Sequence, residues 1–207
     1  MAKAYRSVHV QAYSGKINYL SDTIVVTLHS PSYTPDLDAH AYVSNLTNEL
    51  ASGGGYTAGG LTLSGRALTY TPANSWGTAA ATSTAYTVET VVRPATGNGY
   101  LYRCSVAGTS GGTAPTWSTV IGGSTTDGTV VWETVGRGVV QFTASSPSWS
   151  AATFGPARYL VISDRTPATA ATQPLIGLVD FGTDQTGGGG LFQVTWATQG
   201  ILLIFIP

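Results

Sequence analysis

The chain has 207 residues, of which 26 are Gly and only 9% are charged, against roughly 25% charged residues in a typical globular domain. Its formal net charge is −1 and its basic residues are scattered, which argues against a protein that reads a phosphate backbone through a basic patch. The single cysteine, Cys104, excludes an intramolecular disulfide and a metal site built on cysteines.

The first fifteen residues, MAKAYRSVHVQAYSG, lack the basic, apolar and cleavage regions of a secretory signal peptide. The longest apolar run, Ile201–Pro207, is far shorter than the ~20 residues that span a bilayer. We therefore expect a soluble protein that does not leave the cell by the general secretory route and has no membrane partner.

Strand signals dominate the chain as short runs of β-branched and aromatic residues bounded by Gly, Pro, Asn and Ser. The spacing of the turn signals predicts an all-β host domain of the β-sandwich or jelly-roll type. Thr23–Leu28 is a continuous apolar run, typical of a strand buried on both faces. The predicted host strands are Tyr5–Tyr13, Thr23–Leu28, Leu61–Leu63, Ala67–Thr71, Val139–Thr143, Tyr159–Ser163, Leu175–Phe181, Leu191–Trp196 and Ile201–Ile206.

One segment has a helical period instead. Apolar residues recur at intervals of three and four from Ala39 to Leu50, which places them on one face of a helix. Asp36 or Asp38 supplies a start signal, and Gly53–Gly55 supplies a stop. We predict one short helix over residues 37–51, packed on the sheet.

The segment 85–135 differs in texture from its surroundings and is predicted to be an inserted β module. It holds three short predicted strands, Val88–Val92, Gly99–Val106 and Thr129–Val135, joined by Gly/Thr/Ser loops. If the segment is deleted from the sequence, the flanking predicted strands follow each other directly. We therefore predict that the host domain, residues 1–84 plus 136–207, forms its sheet without the segment. Insertions of this kind are tolerated at exposed loop tips.

The histidines and carboxylates do not form a recognisable catalytic constellation. The chain has no Gly-x-Ser-x-Gly elbow, no phosphate-binding loop and no metal-ligand spacing among its histidines. These are His9, His29 and His40. We predict that all three are structural or solvated.

Two pairs of carboxylates need separate consideration. Asp36 and Asp38 have the spacing of a calcium-binding pair, but helix capping explains them better because Asp is a favoured N-cap residue. Asp180 begins an Asp-Phe-Gly triplet followed by Asp184, which matches the kinase magnesium motif only by accident, since the accompanying nucleotide loop is missing. We therefore predict that the protein is not an enzyme and uses no metal or cofactor.

The aromatic residues of the insert suggest a binding function. Flat rings beside hydrogen-bonding groups suit stacking on the apolar faces of sugars. We predict Tyr86, Tyr100 and Trp117 as glycan contacts, with Trp117, in a loop after a Pro, as the most exposed ring. The alternative is that a small domain needs these rings for its own core, and this alternative is favoured for Tyr102 and Trp132, which lie within predicted strands.

The insert resembles the small β modules that recur in bacteriophage virion proteins, which are similar to chitin- and cellulose-binding modules of bacterial glycoside hydrolases. The matching stretches are AYTVETVVRP, GYLYRCSVAGTSGGTAPTW and DGTVVWE. The shared pattern is Ala-Tyr, a Gly-Asp-x-Val turn, a Tyr-x-Cys or Tyr-x-Ala strand, and then Pro-x-Trp. This chain has Glu89-Thr90 where Gly-Asp would be usual.

The host resembles a family of tailed-bacteriophage structural proteins. The matching stretches are residues 17–65, WSAATFGPARYLVISD, QPLIGLVDFG and GGGGLFQVTWATQGILLI. The resemblance implies a non-enzymatic virion component that is assembled in the host cytoplasm on the head or tail. Its implied partners are the major capsid protein or other virion proteins, with self-association and a glycan ligand as further expectations and nucleic acid as no partner.

These expectations leave three functions open. The leading one is a capsid decoration or cement protein that sits on the head surface and displays the insert. The second is a tail or fibre-associated protein that contacts host polysaccharide. The third, a free glycan-binding protein or hydrolase fragment, is opposed by the missing acid/base pair. The apolar strand at Ile201–Ile206 is expected to be paired within the sheet or covered by a neighbouring subunit.

Overall fold

The computed structural model describes residues 2–207. Antiparallel strands dominate it, so the predicted all-β class is confirmed, whereas the sandwich or jelly-roll arrangement stays a prediction. By tertiary contacts, the chain divides into two compact units. Unit 1 is built from Met1–Leu68 and Phe142–Leu202, and unit 2 from Thr69–Gln141 and Leu203–Pro207.

The elements are numbered in chain order, and the first half of the chain contributes helix α1 and eight strands. They are β1 (Lys3–Ala4), α1 (Ser7–Tyr13), β2 (Ile24–His29), β3 (Leu61–Thr62), β4 (Ala67–Pro72), β5 (Ala85–Tyr86), β6 (Val91–Val92), β7 (Leu101–Val106) and β8 (Gly108–Thr109). The second half contributes β9 (Ser124–Asp127), β10 (Val130–Gly136), β11 (Gly138–Thr143), β12 (Ser148–Trp149), β13 (Ala157–Asp164), β14 (Leu175–Gln185), β15 (Phe192–Gln193) and β16 (Leu202–Ile206). Short 3-10 turns lie at Val43–Asn45 and Ala73–Ser75.

Unit 1 is organised around a five-stranded sheet in the order β1-β14-β13-β2-β3. Strand β2 lies inside this sheet and every one of its residues is buried, as its continuous apolar sequence predicts. Its neighbour β13 pairs with it in a register that opposes Leu160 to Leu28 and Ile162 to Val26. These residues form one core with the aromatic side chains of Tyr56 and Trp149, among others.

Unit 2 contains a four-stranded sheet in the order β6-β7-β10-β9. Strands β9 and β10 form a hairpin whose turn is Gly128-Thr129. Gly128 has a φ of 63° there, a left-handed conformation that glycine adopts without the penalty a side chain would bring. The insert predicted at residues 85–135 lies inside unit 2, which is wider because Trp76, Val139 and Phe205 pack with Leu101 in one cluster.

A third sheet has the strand order β16-β11-β4, and it shows where the segment that contains the predicted insert begins and ends. Strands β4 and β11 are neighbours although residues 73–137 separate them in sequence. The intervening chain therefore leaves one strand and returns to the adjacent one. The apolar strand β16 is paired within this sheet. This is one of the two outcomes that we expected for it from the sequence.

The predicted helix over residues 37–51 is wrong. The backbone of this segment pairs with distant parts of the chain: the N–H of Val43 donates to the carbonyl of Gln173, and that of Leu50 donates to the carbonyl of Leu28. These pairings use the groups that a helix would bond internally. Of its apolar residues, Leu37, Val43 and Leu46 pack on a second cluster around Tyr33, and Leu50 packs on the main core of unit 1.

The strand predicted over Tyr5–Tyr13 is also wrong, because Ser7–Tyr13 forms α1, the only α-helix among residues 2–207. The loose alternation of apolar residues that suggested a strand does not match the buried positions. Val8 and Gln11 are buried, three residues apart, and the intervening Val10 faces solvent. The burial period is therefore helical.

Candidate functional site in the aromatic cluster of unit 2

The candidate site is a cluster of rings on one face of the four-stranded sheet. Burial alternates along β10, so Val130, Trp132 and Thr134 point to the same buried side. In the register with β7, Trp132 lies opposite Cys104 and Thr134 lies opposite Tyr102. The side chains of these two strands form the floor of the cluster.

Trp132 is the centre of the cluster and is fully buried. Its indole N–H donates to Oδ2 of Asp127 at 3.2 Å. Asp127 is itself buried, and its Oδ1 accepts from the backbone N–H of Gly111 at 2.8 Å. Because ring and carboxylate are both partnered within the unit, Trp132 has a structural role, as favoured from its place in a strand.

Tyr86 packs its ring edge-on against Trp132, with 4.8 Å between ring centroids. Its hydroxyl is held by the backbone of Ala81, accepting from the N–H at 2.7 Å and donating to the carbonyl at 3.4 Å. The ring is half-buried. The fold therefore engages both the ring and the hydroxyl of Tyr86.

Trp117 is half-buried, and so less exposed than its loop position predicts. Its ring lies 4.3 Å from that of Tyr102 and 5.9 Å from that of Trp132. The structure gives its indole N–H no hydrogen-bond partner within residues 2–207. Trp117 therefore combines a packed face with a free donor at the edge of the cluster.

Tyr102, beneath Trp117, is fixed through its hydroxyl. It donates to the carbonyl of Ser118 at 2.8 Å and accepts from Nδ2 of Asn98 at 2.8 Å. Burial raises the pKa of the Tyr102 hydroxyl above its usual range, so it stays neutral. The same Asn98 accepts, through Oδ1, from the backbone N–H of Tyr100 at 3.1 Å.

Tyr100 is half-buried and interacts with an exposed cation. The guanidinium of Arg137 lies 4.9 Å from the centroid of the Tyr100 ring. Its Nη2 also donates to the Tyr100 hydroxyl at 2.6 Å. Tyr100 and Trp117 thus flank the neighbourhood of Asn98 and Tyr102, and this polar edge suits a ligand with both apolar faces and hydroxyl groups.

Sequence reasoning missed Asn98 and Arg137 as members of this edge. The Asn98-Gly99 dipeptide is a turn signal, and its Asn side chain is used here to tie Tyr100 to Tyr102. Nothing in the local sequence of Arg137 indicates that it lies over a ring 37 residues away.

The motif residues of the insert converge on this cluster. Tyr102 and Cys104 of the Tyr-x-Cys strand are buried in it, and Trp117 of the Pro-x-Trp motif packs on Tyr102. Burial raises the pKa of the Cys104 thiol, which keeps it in the unreactive protonated form. Glu89, where glycine would be usual, has a φ of 70°, a backbone conformation that glycine adopts most easily.

The histidines of unit 1 are held in structural bonds or lie on the surface. Buried His29 contacts the carbonyl of Thr47 through Nδ1 at 2.8 Å and Oγ1 of Thr27 through Nε2 at 2.9 Å. Burial lowers the pKa of His29, so the ring stays neutral. His40 contacts the hydroxyl of Tyr33 at 3.0 Å, and His9 is exposed on α1.

The carboxylate pairs have local partners. Oδ1 of Asp36 accepts from the N–H groups of Asp38 and Ala39, which lowers the pKa of Asp36. It caps a turn at residues 36–39 rather than the predicted helix. Asp180 accepts from Arg158 at 2.7 Å, and Arg158 also lies 3.9 Å from Asp184. Within residues 2–207, no group of three or more His, Cys, Asp or Glu side chains is placed to hold a metal ion.

No protein-family model, curated protein or solved structure matches this chain. Among residues 2–207, no helix has the length and apolar character that a membrane crossing requires.

Proposed function

We propose that this chain is a non-enzymatic structural protein of a tailed-bacteriophage virion, a capsid decoration or cement protein. Unit 1 binds the head surface, and unit 2 is an accessory module that faces solvent. The major capsid protein is the partner, and repetition over the particle multiplies individually weak contacts.

The observation that supports this proposal is the position of residues 73–137 between the adjacent strands β4 and β11. The chain leaves β4, builds a second core around Trp132 and returns to the neighbouring strand β11. A module inserted in this way adds a surface to a host that is already complete. The resemblance of both parts to virion proteins gives this architecture its biological context.

The engagement of polar groups supports a structural role. His29 is bonded on both ring nitrogens, and Asp36, Asp127 and Asp180 are committed to backbone, indole or guanidinium donors. An active site needs groups with perturbed pKa values that face a cleft and substrate. The groups described above face each other or the fold instead.

The test uses heads of the phage that carries this protein, prepared without it in their immature and expanded forms. The purified chain is mixed with each form and sedimented. The proposal predicts saturable binding to expanded heads and little binding to immature ones. Equal absence of binding to both would reject the head assignment.

A second function, contact with host polysaccharide by a tail or fibre-associated protein, is favoured by the edge formed by Tyr100, Asn98 and Trp117. The free indole N–H of Trp117 and the exposed Arg137 are donors for sugar hydroxyl groups. Sedimentation with insoluble chitin and cellulose tests this function. Retention that is lost in Trp117→Ala or Tyr100→Ala would support it.

A further inference from the structure

Unit 2 contains three arginines, and the fold uses their guanidinium groups differently. Arg93 donates to three backbone carbonyls. Arg103 pairs with Glu133 at 2.6 Å and with Glu89 at 3.6 Å. Arg137 is exposed, and no carboxylate among residues 2–207 forms an ion pair with it. The charge of Arg137 is therefore the one that unit 2 does not use within its own fold.

Contacts with Tyr100 hold Arg137 in place although it is exposed. The guanidinium lies 4.9 Å from the centroid of the Tyr100 ring, and its Nη2 donates to the Tyr100 hydroxyl at 2.6 Å. Nε and Nη1 of Arg137 have no acceptor in the described part of the chain. A guanidinium that is already positioned loses less side-chain freedom on binding a ligand than a mobile one does. Arg137 thus presents unused donors at a fixed place.

A continuous series of contacts joins Arg137 to Trp117 through Tyr100. The backbone N–H of Tyr100 donates to Oδ1 of Asn98, and Nδ2 of Asn98 donates to the hydroxyl of Tyr102 at 2.8 Å. The ring of Tyr102 lies 4.3 Å from that of Trp117. We call these five residues the Arg137 edge. They form one surface because each contacts the next.

The side-chain hydrogen-bonding groups that the fold leaves free along the Arg137 edge are donors. The acceptors are engaged: Oδ1 of Asn98 accepts from a backbone N–H, and the hydroxyl of Tyr102 accepts from Asn98. The hydroxyl of Tyr100 accepts from Arg137, which leaves its own proton to donate. The indole N–H of Trp117 and two nitrogens of Arg137 are donors as well. A matching ligand supplies acceptors.

This excess of donors selects among sugars. A neutral sugar offers hydroxyl groups, each of which donates as well as accepts, and the edge has few free acceptors for their protons. A carboxylate only accepts, and its planar shape lets it take two parallel hydrogen bonds from a guanidinium. The sugar ring that carries it still has an apolar face for an aromatic ring.

We propose that the Arg137 edge binds a polysaccharide whose sugars carry a carboxylate, as uronic acids do. The carboxylate accepts from Arg137 and Tyr100, and a face of a sugar ring packs on Trp117. This inference rests on the second of the two functions proposed above, contact with polysaccharide, and names the class of sugar. It does not depend on whether unit 1 binds a head or a tail.

The experiment measures binding of the purified chain to immobilised polymers by biolayer interferometry. The acidic polymers are polygalacturonate, alginate and hyaluronate, and methyl-esterified polygalacturonate is the matched neutral polymer. Dextran sulfate tests whether negative charge alone is enough. The inference predicts binding to at least one of the acidic polymers about tenfold or more tighter than to the methyl ester or to dextran sulfate.

Variants test the role of Arg137 directly. Arg137→Gln should weaken binding to the acidic polymer by about tenfold or more, since it removes charged hydrogen bonds. Arg137→Lys, which keeps the charge and loses the planar fork, should lie between Arg137→Gln and the wild type. The matched control is Lys16→Gln, which removes the same charge from an exposed side chain of unit 1 and should bind as the wild type does. Thermal melting checks that each variant is folded.

The outcomes separate this inference from the function on which it rests. Equal binding to acidic and methyl-esterified polymer, unchanged in Arg137→Gln, would overturn the carboxylate assignment and leave glycan contact standing. Equal weakening by Lys16→Gln and Arg137→Gln, or binding to dextran sulfate as tight as to the acidic polymers, would reduce the interaction to nonspecific charge attraction and overturn the inference. If none of these polymers, chitin or cellulose binds the wild type, glycan contact and this inference both fall.

Discussion

The cores of the two units contain different combinations of side chains. Unit 1 combines the aliphatic strands β2, β13 and β14 with a group of packed rings around Trp149 and Phe154, and it also buries His29 and Asp164. Unit 2 has shorter strands, and much of its core is the interlocked rings around Trp132. In a small domain, large rings supply the buried area that aliphatic layers supply in a larger one. The rings of unit 2 therefore serve the fold first, and only their edges are free for a ligand.

The largest expected effect is the loss of the central ring of unit 2. Trp132→Ala removes a fully buried side chain and leaves Oδ2 of Asp127 without its donor, so we expect a loss of about 3–5 kcal/mol in the stability of unit 2. Urea denaturation followed by limited proteolysis should show cleavage within residues 69–141 at lower urea concentrations.

The control for Trp132→Ala is Trp196→Ala, which removes a half-buried ring of unit 1. Its cost should be clearly smaller. Equal costs for the two variants would contradict the assignment of Trp132 as the buried centre of the unit 2 cluster.

Replacing the buried carboxyl of Asp164 in unit 1 should raise stability, whereas Trp132→Ala lowers it. Oδ2 of Asp164 is buried without a partner, and burial, followed by the nearby Asp22 carboxylate, raises the pKa of Asp164. A carboxyl whose folded-state pKa is raised destabilises the fold as the pH rises above its unfolded value of about 3.9. Asp164→Asn should therefore stabilise the protein by about 1–3 kcal/mol at pH 8.

The pH dependence separates this effect from a simple change of packing. The gain from Asp164→Asn should shrink as the pH falls, because protonated Asp164 is neutral too. Asp36→Asn is the opposing control, because backbone hydrogen bonds lower the pKa of Asp36. It should lose stability near neutral pH and converge with the wild type in acid. Calorimetric melting between pH 4 and 8 measures both variants, and a gain that is independent of pH would contradict the account of Asp164.

Substitutions at the edge of the aromatic cluster should change stability less than Trp132→Ala does, and they should affect stability and glycan retention differently. Trp117→Ala loses packing on Tyr102 and should cost about 1–2 kcal/mol, whereas Trp117→Phe keeps most of this packing and removes the N–H donor. If the edge binds glycan, chitin or cellulose should retain less of either variant than of the wild type. Tyr86→Phe, which releases only the Ala81 backbone contact, should keep full retention. Loss of retention in Tyr86→Phe alone would place the contact elsewhere.

The smallest effect concerns Glu89. Its left-handed backbone costs about 1 kcal/mol for a residue with a side chain, and its carboxylate lies 3.6 Å from Arg103 on the surface, an ion pair worth little. Glu89→Gly should therefore stabilise unit 2 by somewhat less than about 1 kcal/mol in urea denaturation. Glu89→Gln, which keeps the side chain and removes only the charge, should not stabilise it.

The sequence predicted the fold best where one local pattern decides the structure. Ile24–His29 is a strand because its continuous apolar run has to be buried. The helix predicted over 37–51 failed because the partners of its backbone, such as Gln173 and Leu28, lie far away in the chain. The orientation of α1 could not be predicted for a related reason: a period shows which residues share a face, but not whether Val10 or Gln11 faces the interior.

The candidate site, too, was predicted from the sequence only in part. Aromatic composition identified Tyr86, Tyr100 and Trp117 as members of one region, but not which of their groups the fold engages. The bond between Tyr86 and Ala81 and the placement of Arg137 over Tyr100 depend on tertiary contacts. Residue types alone do not specify these contacts.

The most direct test of the central claim is a cryo-EM map of the purified particle that carries this protein. The account predicts repeated density over the icosahedral shell, at or between capsomers, into which unit 1 fits against the shell. Density for the chain confined to the tail, with a bare shell, would contradict the account.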